Sequence, residues 1–224
     1  MLNSITQKIL SDSKQRGWVL EPDAKRIMRE AGLDVPESRF AATSEAAVQS
    51  ARELGYPLVA KVVSPAVLHK TEVKGVAVGI DSDQALQDVV SRFSGIDGFA
   101  GVHLEKMARG VELIVGAKID DQFGPVILIG MGGTGVEIYQ DVAIRMAPLA
   151  QVDVKSMIHS LKGKRLLEGY RGGEAANQVK LTQTLLDFSK LVMDIKDVIE
   201  SIDLNPVFCS AGACVVADAR IILR

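Results

Sequence analysis

Residues 55–79 read GYPLVAKVVSPAVLHKTEVKGVAVG. An apolar run from Leu58 to Val63 is interrupted by one lysine, stopped by Ser64-Pro65, and followed after a polar loop by a second apolar run from Val76 to Ile80. Side chains alternate across a strand, so Val59, Lys61 and Val63 share one face while Leu58, Ala60 and Val62 share the other. Lys61 therefore has to emerge from an apolar surface. It serves either as a fixed charge aimed into a cleft, as a phosphate ligand does, or as an edge-strand lysine that guards against aggregation and snorkels to water. The loop carries His69 among Lys70, Thr71, Glu72 and Lys74. Those neighbours argue against a packed core histidine and leave a solvated bystander, a proton shuttle, a metal ligand or a covalent nucleophile. Two lysines, a threonine hydroxyl and Gly75, whose backbone can approach an anion closely, favour a phosphate role. Zinc is poorly supported, because His103, His159, Cys209 and Cys214 show none of the familiar ligand spacings.

Working upstream, residues 4–16 form a weakly amphipathic helix, and Pro22 opens a second one whose apolar stripe is Ala24, Ile27, Met28 and Ala31, with Gly32 at its end. A short strand near Arg39 leads to a helix capped by Thr43 or Ser44, which Gly55-Tyr56-Pro57 breaks before the Lys61 strand. Downstream, a helix capped by Ser82 ends near Phe93, and SGIDGFAG at 94–101 is the candidate lobe boundary. The expected organisation is an N-terminal helix (1–20), a small α/β lobe (21–98) and a second lobe (99–224), an α/β fold overall. In the second lobe, strands surround a polar connection at 106–110 flanked by Glu105 and Glu112, which are either solvated strand ends or ligands of a base and ribose.

The run GMGGTG at 130–135 satisfies G-x-G-x-x-G, but VEIYQDVAIRMAPL follows it, with Val136, Ile138 and Tyr139 as β-formers and Pro148 as a stop. A dinucleotide fingerprint must open a helix there, so a nicotinamide site is disfavoured. Glu137, Asp141 and Arg145 fall four apart and either interact on a helix or are solvated. Residues 151–162 and 178–199 read as helices, and the segment between them has the composition of a mobile surface loop.

With 224 residues, 47% apolar and 24% charged, the chain can bury a sizeable core in one or two domains. A net charge of −2 with scattered basic residues gives no nucleic-acid footprint. The first residues lack signal-peptide organisation and no apolar run approaches the ~20 residues of a membrane span, so no membrane association and a cytoplasmic location are expected. Cys209 and Cys214 are expected to be free thiols in a reducing compartment, although a hairpin can bring them face to face.

The last 25 residues place a pair of oxygen ligands without a template. SIDLNPVFC and CVVADARIIL are β-like runs joined by SAGA, and one hairpin register sets Asn205 opposite Asp218 and Asp203 opposite Arg220 on one face. Cross-strand Cβ atoms are ~5 Å apart. Two hard oxygen donors at that spacing suit Mg²⁺, which completes its shell with water and phosphates; the competing reading is a structural Asp–Asn pair.

Taken together, AKRIMREAGLDVP, LGYPLVAKVVSP with LHKTEVKGV, MARGVELIVGAKIDDQFGPVILIGMGG, VEIYQDVAIRMAPL, GYRG and IDLNPV with VVADAR resemble the ATP-grasp subunit of nucleoside-diphosphate-forming acyl-CoA synthetases, nearest to the β subunit of ADP-forming acetyl-CoA synthetase. The resemblance implies an ATP-grasp fold of two α/β lobes with ATP or ADP held between them. It implies that Lys61 and Lys70 meet nucleotide phosphates, that Glu105, the backbone near Met107, and Glu112 bind adenine and ribose, and that Asn205 and Asp218 carry Mg²⁺. His69 matches the histidine that takes a phosphoryl group from a phosphohistidine on a CoA-binding α subunit, in an α2β2 assembly, and Asp203 matches an acid that orients a phosphohistidine. Where the family usually has two glycines before the second strand, this chain has Lys74-Gly75. The alternatives are an ATP-grasp carboxylate ligase making an acylphosphate directly, and a non-catalytic nucleotide-sensing module.

Overall fold

The computed structural model describes residues 2–133 and 140–224. In chain order the elements are α1 (Ser4–Ser13), β1 (Trp18–Val19), α2 (Glu21–Glu30), β2 (Ser38–Ala41), α3 (Ser44–Leu54), β3 (Leu58–Val63), β4 (Val76–Ile80), α4 (Asp83–Phe93) and β5 (Gly101–Lys106). They continue with β6 (Val111–Asp120), β7 (Gly124–Met131), β8 (Val142–Met146), α5 (Gln151–Ser160), the short α6 (Lys164–Leu167), α7 (Gln178–Ile195), β9 (Ile199–Cys209), β10 (Cys214–Val216) and β11 (Arg220–Leu223). The expected caps form: Thr43 accepts from the Ala46 N–H and Ser82 from the Ala85 N–H.

The chain divides into two compact units, Pro36–Met107 and a larger one made of Met1–Val35 with Ala108–Arg224. The smaller unit has a four-stranded antiparallel sheet in the order β2-β5-β3-β4. One sheet face, with Leu58, Ala60, Val62, Val102 and Leu104, packs with Ala47, Ala51, Leu86, Val90 and Phe93 of α3 and α4 into its own core.

The larger unit holds a seven-stranded sheet in the order β1-β11-β9-β6-β7-β8, with β10 pairing β9 beside β11. Its core face carries Leu113, Val115, Ile127, Ile129, Ile202, Leu204 and Ile221, against Ile27 and Met28 of α2 and Leu181, Leu185, Phe188 and Val192 of α7. Alternation produces most of this: in β9 the buried residues are Ile199, Ile202, Leu204, Val207 and Cys209, and the odd steps after Ile199 and after Leu204 fall at register irregularities against β11 and β6.

Two boundaries differ from the sequence expectation. β5 is an interior strand between β2 and β3, so the chain leaves the smaller unit after β5 and not in the glycine-bearing stretch at 94–101. α2 belongs to the larger unit, because β1 before it pairs β11 and Asp34 after it bridges to Val215. The structure also joins Cys209 to Cys214 as a disulfide, where free thiols were expected; the two are directly opposed where β9 meets β10. Asp141 and Arg145 flank and occupy strand β8 and not a helix, while Gly135, Val136, Glu137, Ile138 and Tyr139 lie outside the described residues. The segment between α5 and α7 contains α6 and a turn of 3₁₀ helix at Tyr170–Gly172.

Candidate functional site

In the smaller unit, Lys61 stands opposite His103 and Val59 opposite Glu105, which puts Lys61, His103 and Glu105 on the sheet face that α3 and α4 do not cover. β3 is an interior strand, so Lys61 does not guard a sheet edge. All three side chains are buried, at 6%, 5% and 2% exposure. Lys61 Nζ lies 3.2 Å from Glu105 Oε2, and His103 Nε2 lies 3.0 Å from Glu105 Oε1. The His103 ring does not align with that oxygen as a hydrogen bond, so the two groups are close neighbours without one. A buried ammonium needs a compensating charge, and Glu105 supplies it. His103 was not singled out from sequence as part of this group, because its nearness to Lys61 follows from the pairing of β3 with β5.

The loop at 64–75 is anchored at both ends. Ser64 Oγ donates to the Asp97 carbonyl at 2.6 Å and accepts from the Ala66 N–H, while the Gly75 N–H donates to the Lys70 carbonyl at 2.7 Å. His69 is exposed and Lys70 half-buried within it. Gly75 is required for a reason other than anion approach: a Cβ there would overlap Val62 Cγ1 on β3. Lys74 takes a φ of 53°, the left-handed conformation that glycine adopts freely and lysine does not.

In the larger unit the expected hairpin register holds on both sides of its break. Phe208 pairs with Val215 and Val207 with Val216; past residues 217–219, Arg220 pairs with Asp203 and Ile221 with Ile202. Asn205 is therefore opposite Asp218, with the Ala217 N–H donating to the Pro206 carbonyl at 2.9 Å between them. Asn205 is exposed and Asp218 half-buried. Arg220 Nη2 donates to Asp203 Oδ2 at 3.1 Å. Burial pushes the Asp203 carboxyl above the ordinary carboxylate range, and the Arg220 guanidinium acts against that shift. An amide and a carboxylate at opposed register positions, where the β9 bulge meets the break between β10 and β11, match the donor types and number that Mg²⁺ takes from protein. Among the described residues there is no group of three or more His, Cys, Asp or Glu that could hold a metal ion.

Glu112, half-buried on β6, touches the glycine run. The Gly132 N–H donates to the Glu112 carbonyl at 2.7 Å, and a Cβ on Gly132 would overlap the Glu112 side chain. Two signals that look separate in sequence are one packing contact. Met107, half-buried, follows β5 directly.

The sequence reading found α2 but not its Glu21–Lys25 ion pair. Lys25 is 2% exposed; its Nζ lies 3.1 Å from Glu21 Oε1 and donates to the Ala217 carbonyl at 2.6 Å. The spacing Glu21, Lys25, Met28 continues one helix face, so an inward-facing ion pair was readable there.

A protein family described as ATP-grasp domain matches residues 11–223. The β subunit of an ADP-forming acetate–CoA ligase II of Pyrococcus furiosus is 37% identical over 230 residues, covering 98% of this chain and 97% of that subunit. An ADP-forming 4-hydroxybutyrate–CoA ligase of Nitrosopumilus maritimus is 34% identical, covering 93% of this chain and 31% of that longer one. Among solved structures, a dinucleotide-forming acetyl-coenzyme A synthetase 1 of Ca. Korarchaeum cryptofilum, in complex with coenzyme A, Ca-AMPCP and HgCl⁺, superposes with a TM-score of 0.91 at 35% identity, covering 98% of this chain and 100% of that one. Another structure of that enzyme, with coenzyme A and Mg-AMPPCP, has its phosphohistidine segment pointing towards the nucleotide site and a TM-score of 0.86 at 35% identity, over 98% of this chain and 100% of that chain.

Proposed function

Because this chain belongs to the ATP-grasp family, we propose that it is the nucleotide-binding subunit of an ADP-forming acyl-CoA synthetase, an acid–thiol ligase that turns acyl-CoA, ADP and phosphate into carboxylate, CoA and ATP. The observation that carries this reading is the C-terminal register, which sets Asn205 against Asp218 and Asp203 against Arg220. The relatives support it: the Pyrococcus furiosus subunit has nearly the same length, and its name as a β subunit implies an α partner. We assign that partner the CoA-binding domains and the first phosphohistidine, in an α2β2 enzyme working in the cytoplasm. Among the described residues no helix is long and apolar enough to cross a membrane.

Lys61 and Lys70 bind the nucleotide phosphates, with Glu105 holding the Lys61 ammonium. Glu105, the backbone at Met107, and Glu112 are assigned to the adenine and ribose. Asn205 and Asp218 hold Mg²⁺, which when bound neutralises phosphate charge. Phosphoryl transfer asks chiefly for position and charge neutralisation. His69 supplies a neutral ring nitrogen: its N–P bond forms as the partner's P–N bond breaks, and then breaks as an oxygen of the ADP β-phosphate bonds the same phosphorus. Asp203, oriented by Arg220, holds the phosphohistidine imidazole by its other nitrogen. His69 is exposed on a loop whose two ends are tied, which suits a group that must turn between donor and acceptor.

The test is His69→Ala in the chain assembled with its α partner. The relay requires loss of ³²P labelling of this chain and of acyl-CoA-dependent ATP synthesis, while Mg-ADP still binds. Full activity in the variant would favour direct acylphosphate formation. Normal Mg-ADP affinity in both Lys61→Ala and Asp218→Ala would remove the assigned nucleotide site altogether.

A further inference from the structure

Resting on the assignment of Asp218 to Mg²⁺, we propose that the buried Glu21–Lys25 pair of α2 positions that ligand and thereby sets the metal affinity of the nucleotide site. Strand pairing is interrupted at residues 217–219, between β10 and β11. On the β9 side the same place holds the bulge at Asn205 and Pro206. A broken ladder leaves carbonyls without strand partners and gives the backbone freedom to shift. Here the Ala217 carbonyl accepts from Lys25 Nζ at 2.6 Å, and the Ala217 N–H donates to Pro206. Ala217, the residue directly before Asp218, is thus held at both its N–H and its carbonyl, the carbonyl by an ammonium at 2% exposure.

That clamp is an unusual choice for a core. Burying an ion pair costs desolvation, and well-packed apolar residues of similar volume are commonly as stabilising or more so. A helix face already carrying Ala24, Ile27 and Met28 has apolar neighbours enough to accept a methionine at position 25. What methionine cannot do is hold a carbonyl. Glu21, one turn back and also buried, fixes the ammonium at 3.1 Å and compensates its charge. The pair holds the backbone next to a proposed metal ligand, as groups behind metal ligands do, where removal commonly lowers metal affinity about 10- to 100-fold.

The experiment measures Mn²⁺ affinity by electron paramagnetic resonance with ADP present, and ADP affinity by calorimetry in EDTA, on the full chain and on Lys25→Met, Asp218→Asn and the double variant. Lys25→Met leaves buried Glu21 uncompensated and should lower the melting temperature, but measured well below that temperature it should keep its metal-free ADP affinity yet bind Mn²⁺ about 10-fold more weakly or worse. The double variant should be no weaker than Asp218→Asn alone, because both lesions act through one ligand. Parent-like Mn²⁺ affinity in Lys25→Met, or losses that add fully, overturns the positioning role while leaving the metal assignment standing. Parent-like affinity in Asp218→Asn overturns the metal assignment itself. If Lys25→Met does not fold, Glu21→Gln carries the comparison: weakened Mn²⁺ binding with unchanged metal-free ADP affinity supports the proposal, and unchanged Mn²⁺ binding sinks it.

Discussion

Lys61 and Glu105 sit within 3.2 Å of each other with almost no exposure, so removing one strands the other. Lys61→Met is expected to destabilise the chain by about 3–5 kcal/mol, the usual result of leaving one buried partner uncompensated. The double variant Lys61→Met/Glu105→Gln should recover a large part of that loss without recovering ADP binding. Urea unfolding of both singles and the double decides it; strictly additive losses would mean the two residues are not a unit. At position 74 the lysine is held at a φ of 53°, so Lys74→Gly should raise stability by about 0.5–1 kcal/mol. Gly75→Ala should lower it by about 1–3 kcal/mol, because its methyl group meets Val62. Of these residues Lys61 was legible as an anomaly in an apolar run, whereas its partner was not. Glu105 lies 44 positions away by residue number, and only the β3–β5 pairing puts them on one face.

Elements were legible where a local rule produces them. Helices α3 and α4 follow from Thr43 and Ser82 as caps and from apolar spacing, and the β9–β10 and β9–β11 register follows from hairpin geometry. Their mutual packing was not. Asp83, at the start of α4, accepts from Arg52 of α3 at 3.0 Å and from the Tyr56 hydroxyl at 2.9 Å, just before β3 begins. Burial first, then the bond to Asp83, raises the Tyr56 hydroxyl from 10.0 to about 12. A group with a raised folded pKa adds stability below its unfolded pKa and loses it as pH rises through the folded one. Stability should therefore fall between about pH 10 and 12, and Tyr56→Phe should flatten that limb. Urea midpoints measured across the interval check this; equal slopes for parent and variant would count against it.

Each of the two units has a hydrophobic core of its own, one built on a four-stranded sheet and the other on a seven-stranded sheet. Native-state hydrogen exchange should accordingly find two cooperative blocks, with β3 and β5 in one and β6, β7 and β9 in the other. Amides of both sheets opening with one common free energy would contradict separate cores. The larger unit is made of two separate lengths of chain, Met1–Val35 and Ala108–Arg224. Sequence reading found the elements at both ends but assigned α2 to the wrong unit. Hydrophobic stripes announce that a helix must be covered without naming the sheet that covers it. From sequence alone came the α/β class, most helix and strand identities, the Lys61 and His69 loop, and the register that opposes Asn205 to Asp218. All of these depend on neighbours within a strand, a helical turn or a single hairpin. The tertiary structure alone decided that Glu105 and His103 stand beside Lys61, that Gly132 lies on Glu112, and that Lys25 grips the peptide before Asp218. Such contacts join distant stretches of chain, and burial can be inferred from a residue's own chemistry while the identity of what buries it cannot.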